Sequence, residues 1–445
     1  MSNPELNVDI PNEAGWPTQS VDSLCSLISR GTAPVYVEHS EVLAIGQRCV
    51  ATAGFAPDFA RPHSHRAMRN VLRPESGDVL LNSTGTGTIG RSVVFNSPGT
   101  FIADGHVTVL RPRVEIADSR WLNSVLRTPL LQRHLERFCF AGSTNQLELS
   151  RTPLRVSRLP TPHIDEQRAI GLVIDTLDIA ILETEATIAK LKAVKRGLQH
   201  DLLTRGIDAN GELRPPQDEA PHRYKKSPLG WIPKEWGVNK VAEVAEVRSG
   251  ATPSRALANR YFADLGIPWV KTLDLNEGAI LETDERITAT ALRETSCSLL
   301  PEGTVLVAMY GGWEQIGRTA LLAVPAATNQ AISSLVLRTS NTVPEFVLLA
   351  MQHGRPRWHR VAASTRKDPN ITKADVLAFE VPVPAPDEQT EIALRVQACL
   401  DRLECESNTL AKLCHQKAGL MDDLLTGRVR VMPLLAEAAQ QKGSV

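Results

Sequence analysis

The sequence predicts an α+β protein built twice over, each copy a mostly β globular domain with short helices followed by one long helix. Three observations carry this. PTPHIDEQ…TIAKLKAVKRGLQHDLLT (160–204) recurs without a gap as PVPAPDEQ…TLAKLCHQKAGLMDDLLT (382–426), at a constant offset of 222. Both copies carry apolar residues in heptad register. The stretches before them are short β-branched runs punctuated by Gly and Pro, the pattern of strands and turns.

Taken in order, residues 1–160 form the first globular domain. Trp16 followed by VDSLCSLISRGTAP, then GDVLLNSTGTGTIGR (77–91) and VTVLRP (107–112), are its strand segments. Residues 161–206 hold the first long helix, opened by acidic residues that suit its N-terminal dipole and stopped at Gly206. A polar linker rich in Pro and charge follows at 207–227. The second domain, 228–384, repeats the first loosely: Trp236 with VAEVAEVRSGATP, GTVLVAMYGGWEQIGR (303–318) and SLVLRT (334–339). The second long helix covers 385–428, and 429–445 is a tail.

The seam of the first helix runs Ile174, Leu177, Ile181, Ile188, Leu191, Leu198, Leu202. Its copy runs Val396, Cys399, Leu403, Leu410, Leu413, Leu420, Leu424. Forty residues at 1.5 Å each make a rod of roughly 60 Å, and a tandem copy predicts an antiparallel pair about a pseudo-two-fold axis, with the globular domains at opposite ends. Each seam has two polar interruptions, Thr184 and Lys195, then Glu406 and Lys417. With the axis near 189–190, Lys195 faces Glu406 and Thr184 faces Lys417, a register that spares either lysine an apolar partner. The alternative is a seam that opens to solvent there, or two amphipathic helices packed on separate domains.

Hydrophobic residues make up 42% and charged residues 22% of 445, ordinary for a globular protein. No run of eighteen apolar residues offers a membrane span, and MSNPELNVDIPNEAGW has no signal-peptide pattern. Seven cysteines without a CxxC pair suit reduced thiols in a cytoplasm better than a zinc site or disulfide frame. The net charge of −1 hides a weak alternation: +2 over 1–160 and +3 over 221–380, against −4 over 161–220 and −2 over 381–445.

SPLGWIPKEW (227–236), the two P-x-x-D-E-Q helix starts and the paired GDVLL…IGR and GTVLV…IGR segments, in this two-copy layout, resemble the specificity subunits of type I restriction–modification systems. The resemblance spans nearly the whole chain, although the first half offers only Ala14-Gly15-Trp16-Pro17 in place of the Gly-Trp-Ile-Pro motif. It implies two target-recognition domains, each reading half of a split double-stranded DNA site, held apart by helices that dock two methyltransferase subunits, with restriction subunits joining that core. It implies no catalysis and no cofactor in this chain; S-adenosylmethionine, ATP and Mg would belong to the partner subunits. Helices presenting one surface twice to the same partner stay alike. Readers of different half-sites diverge, so the target is asymmetric and bipartite.

Candidate DNA contacts are Arg61, His63, His65, Arg66, Arg69 and Arg73 in the first domain and Arg355, Arg357, Arg360, Arg366 and Lys367 in the second, because a guanidinium both pairs with phosphate and reads guanine. Tyr310, Trp313 and Gln315 precede Ile316-Gly317-Arg318 and are candidates for base edges. The competing readings are a solvated charged face and ordinary aromatic packing; Trp358 reads as core. No His, Cys or carboxylate spacing suggests a metal. Gly85-Thr-Gly-Thr-Ile-Gly90 matches a dinucleotide fingerprint but is followed by SVVFNSPGT, a strand pattern rather than a helix, so it reads as a hairpin turn. An adenine methyltransferase with built-in recognition domains would need an Asn-Pro-Pro-aromatic loop, and Asp368-Pro369-Asn370 is none. A non-catalytic helical scaffold explains the rods and leaves the arginine-bearing domains without a role.

Overall fold

The computed structural model describes residues 6–142, 147–338, 341–362 and 369–433. The chain forms two compact units, one of Met1–Thr187 with Glu406–Val445 and one of Ile188–Cys405. Both combine antiparallel sheets with short helices, and the long helices run Ile164–Thr204 and Pro386–Leu425. Each long helix therefore contributes its first part to one unit and its last part to the other.

In the first unit a four-stranded antiparallel sheet has the order Cys25–Arg30, Val107–Pro112, Val79–Asn82, Ser92–Val94. The second unit repeats this order with Ala245–Ser249, Ile332–Leu337, Val305–Ala308 and Thr319–Leu322, and adds Ala279–Ile280 at the edge. These are the segments that match in sequence. A smaller sheet is also repeated: Val42–Ile45 lies between Thr100–Ala103, parallel, and Arg61–Pro62, antiparallel. Its counterpart is Phe262–Val270 between Ala327–Thr328, parallel, and Arg286–Ile287, antiparallel. Sequence similarity is absent there, because only the alternation of buried and exposed positions is needed to keep a strand. The hairpin Tyr224–Ser227/Gly230–Pro233 carries the Gly-Trp-Ile-Pro motif in the second unit. The first unit has instead Leu6–Asn7 beside Ser157–Arg158 in parallel.

No seam residue named above is exposed, and Thr184, Lys195, Glu406 and Lys417 are all half-buried. In the first unit Ile170 and Ile174 share a core with Leu424, Leu425, Trp16 and Trp121, so the start of one helix packs on the end of the other. In the second unit Leu198, Leu202 and Leu203 share a core with Ile392, Val396 and Trp236, again antiparallel. The register differs from the expected one. The Lys417 ammonium lies on Asp178, which also takes Arg127 at 2.9 Å. Thr184, expected opposite Lys417, donates to the Ala180 carbonyl of its own helix at 2.8 Å. A carboxylate gives the Lys417 ammonium a charged acceptor, whereas the Thr184 hydroxyl would give only a neutral one. Lys195, expected opposite Glu406, forms no ion pair among the described residues and lines a groove of the second unit.

The repeated Asp-Glu-Gln explains itself at each helix start. The Gln167 amide donates to the carbonyls of Ile116 and Pro162, both at 2.9 Å, and its oxygen accepts from the Asp118 N–H at 3.0 Å. Gln389 does the same to Asn341, Pro384 and Val343 at 3.2, 2.9 and 2.9 Å. Asp118 and Val343 are the residues that open the helices Ser119–Leu126 and Pro344–Gly354. One buried amide thus ties each long helix to its globular domain. Replacing Gln389 by Ala removes the partner of three backbone groups, of which the Pro384 carbonyl is buried, and the expected loss is about 1–3 kcal/mol. It is read as a lower denaturation midpoint at unchanged slope.

The neighbouring glutamate closes a second contact. In the second unit Glu388 accepts from Arg214 at 2.5 and 3.2 Å, from the Trp236 indole N–H at 3.1 Å and from the Ile207 N–H at 2.9 Å. Gly206 turns the chain at φ +64, where a β-carbon would collide with Glu388, Trp236 and Arg214. In the first unit Glu166 accepts from Arg430 twice at 2.6 Å, and Gly427, φ +73, makes the matching turn. The Trp16 indole N–H, the counterpart of Trp236, has no partner among the described residues. Residues 207–227, expected as a linker, fold back through this contact: Ile207, Arg214, Ala220 and Tyr224 are buried, and Arg214 fixes the segment on Glu388.

All seven cysteines are free. Burial pushes the Cys25 thiol up to about 12 and that of Cys139 to about 11, so neither is a nucleophile at neutral pH.

Candidate nucleic-acid interface

In the second unit the strands Val305–Ala308 and Thr319–Leu322 are joined by a ten-residue loop, 309–318. Ile316 is buried and anchors its far end, while the rim carries Tyr310 and Trp313, each 43% exposed. Trp313 stacks on His359, with centroids 4.1 Å apart and planes at 20°. These aromatics lie outside the core, whereas Trp358 is buried in it, stacked on Phe379 at 4.2 Å. Gln315 is half-buried, and its side-chain oxygen has no hydrogen-bond partner among the described residues.

The arginines beside this loop divide by task. Arg355 is spent on holding it, donating to the carbonyls of Ile316 at 3.0 Å and Glu314 at 2.7 Å and to Glu277 at 3.0 Å. It is a positioning residue, not a free contact. Arg357 lies 4.1 Å over the Phe379 ring, and burial lowers its pKa. Arg360 is exposed. Arg366 and Lys367 lie outside the described residues. The stack partner His359 was not among the sequence candidates, because nothing in a sequence reveals that residues 313 and 359 meet.

In the first unit the equivalent hairpin, Val79–Asn82 with Ser92–Val94, has a nine-residue loop, 83–91, rich in Thr and Gly. A strand follows it and not a helix, so no helix N-terminus meets a phosphate here. Gln132 donates to the Gly90 carbonyl at 2.9 Å, holding this loop where Arg355 holds the other. The basic segment lies on the smaller sheet and the turn after it. Arg61, His65, Arg66, Arg69 and Arg73 are exposed, and among the described residues none of these arginines forms an ion pair. Arg61 lies 3.7 Å over the Tyr36 ring, whose hydroxyl donates to Asp104 at 3.0 Å. His63 is a correction. It is 1% exposed, Nδ1 accepts from the Val35 N–H at 3.0 Å, and Nε2 faces the Ala67 carbonyl at 3.2 Å. With both ring nitrogens used, His63 supports the turn from within. His63→Ala is accordingly expected to lower the melting temperature, whereas His65→Ala leaves it unchanged; thermal unfolding of the two checks this.

Among the described residues no cluster of His, Cys, Asp or Glu could hold a metal ion, and no helix is long and apolar enough to cross a membrane.

Two loops of unlike chemistry on one repeated scaffold form the arrangement for which a comparison decides. The family described as the type I restriction modification DNA specificity domain matches residues 233–414. Over that stretch the chain is similar to the type I DNA specificity family. The specificity subunit of the type I restriction enzyme MjaVIII from Methanocaldococcus jannaschii is 24% identical over 284 residues. That match covers 62% of this chain and 63% of the relative, just under two thirds of its length. The putative MjaX specificity subunit of the same organism is 21% identical over 363 residues, 80% of this chain and 79% of the relative. The crystal structure of a type I restriction–modification S subunit from M. genitalium superposes with a TM-score of 0.59 at 15% identity. It covers 95% of this chain and 99% of that one, and it shows the shared fold. The matched stretch lies in the second half of this chain; the repeated strand order extends the same architecture to the first half.

Proposed function

We propose that this chain is the DNA-reading, non-catalytic subunit of a type I restriction–modification complex, recognising an asymmetric bipartite target in double-stranded DNA. The observation that carries it is the contrast between the two units. The strand order and the Asp-Glu-Gln anchors repeat, while one loop, 83–91, is rich in Thr and Gly and the other, one residue longer, carries Tyr310 and Trp313. A repeated frame with unlike reading surfaces fits two different half-sites. The two antiparallel helix segments, alike in sequence, are the surfaces for two methyltransferase subunits, which restriction subunits would join. S-adenosylmethionine, ATP and Mg are then the partners' cofactors.

Exposed Arg61, Arg66, Arg69, Arg73 and Arg360 supply phosphate contacts, and Trp313 and Tyr310 face the bases. The domain excesses of +2 and +3 are small, so the isolated chain is expected to bind DNA weakly and to leave it unmethylated and uncut. Methylation and nuclease assays on the pure chain, with S-adenosylmethionine, ATP and Mg supplied, check this. Methyl transfer or cleavage by the chain alone would overturn the proposal.

A further inference from the structure

The duplication supplies its own control for one charged position. By the offset of 222, Lys195 corresponds to Lys417, and Asp178 corresponds to Leu400. In the first unit Lys417 is neutralised on Asp178. In the second, Leu400 stands where the acid would be and packs on the apolar core, so Lys195 has no ion pair among the described residues. Lys195 and its exposed neighbour Arg196 instead line an open groove of about 470 Å³, with His200, Trp313, Arg355 and His359 on its walls.

The groove's charge is unbalanced. Glu277 is its one lining carboxylate, and it bonds Arg355 at 3.0 Å, which cancels both. Burial first, then nearby His200 and Arg357, holds the lining residue His353 below the ordinary histidine value. The permanent charge left over is that of Lys195 and Arg196. Beside it stands the Trp313–His359 stack, a half-exposed aromatic face. Cations without acids next to an exposed aromatic form the surface that a nucleic-acid strand occupies.

We infer that this groove takes the phosphodiester backbone of duplex DNA, with Lys195 and Arg196 of the long helix each contacting a phosphate and Trp313 lying against the same strand. The spacer helix is then a DNA contact in its own right, at the second unit and not at the first. This rests on the DNA-reading function proposed above.

The test is the salt dependence of duplex binding by the full chain, followed by fluorescence anisotropy between 50 and 200 mM salt. Lys195→Gln with Arg196→Gln removes two phosphate contacts, so the log–log slope becomes shallower by about 1.8. Lys190→Gln with Lys192→Gln removes the same charge from exposed positions of the same helix outside the groove and leaves the slope near that of the unaltered chain. If the chain binds DNA and the groove variant keeps its slope, or both variants change it equally, the groove inference is wrong while the DNA-reading function stands. If the groove variant keeps its slope but no longer co-purifies with the methyltransferase subunit, the groove is a protein dock and the inference is again overturned. If the unaltered chain binds no duplex at 50 mM salt, the DNA-reading function itself fails and takes the groove with it.

Discussion

Exchanging residues 12–160 for the first domain of another specificity subunit is expected to change one half of the DNA target completely and leave the other half untouched. The physical basis is that the first unit closes its contacts within itself. Its proposed reading segments, the basic turn at 61–73 and the hairpin at 79–94, sit on sheets made only of residues between 25 and 112. Its attachment to the helices runs through the Gln167 amide, Arg127 on Asp178 and an apolar core in which Trp16 and Trp121 pack with Ile170, Ile174 and Leu424. A donor domain that keeps the carbonyl at position 116, the N–H at position 118, the arginine at 127 and the apolar residues at 16 and 121 inherits that seat. Loss of a base-specific bidentate contact costs about 1–3 kcal/mol per position, so a whole half-site is exchanged by several orders of magnitude in preference. Methylation mapping of the hybrid reads the outcome. A simultaneous change in both half-sites would mean that the domains do not read independently.

Replacing Glu388 by Ala is expected to destabilise the second unit by about 3 kcal/mol or more. Arg214 and Glu388 are 9% and 11% exposed as side chains, so removing the carboxylate leaves a buried guanidinium, an indole N–H and a backbone N–H without their acceptor. The matching change in the first unit, Glu166→Ala, is expected to cost roughly 1.5 kcal/mol, because Arg430 is 46% exposed and turns to water instead. Denaturant titration of both variants measures the difference. Equal losses would show that burial of the arginine is not what separates the two junctions. Glu388→Gln separates charge from shape: it retains an acceptor for Trp236 while losing the ion pair, and its loss is expected to fall between those of the unaltered chain and Glu388→Ala.

The repeat made the architecture legible. An ungapped 222-residue offset fixed both long helices to within a few residues of Ile164–Thr204 and Pro386–Leu425, because a heptad pattern is local and dense. The paired GDVLL…IGR and GTVLV…IGR segments marked one sheet in each unit for the same reason. The smaller sheets left no sequence signature, since Val42–Ile45 and Phe262–Val270 share only a strand's need for apolar positions on its buried face. The sequence showed charge clusters but not the role of any residue within them. His63, Arg355 and Arg73 look alike to a reader of charge clusters. Yet one is a satisfied core residue, one braces a loop and one is exposed, and the partners that decide this lie up to 78 positions away in sequence. The helix register was misread for a related reason. Asp178 was outside the seam pattern, so its claim on Lys417 was invisible until the two helices were seen to pack.

The central claim is that one chain carries two unlike readers on a repeated frame. It is tested most directly by mapping methylated adenines across the genome of a host that expresses this chain with its modification partner. A motif of two dissimilar short halves separated by a spacer of fixed length is the predicted result. A continuous motif, or two halves forming a palindrome, would contradict it.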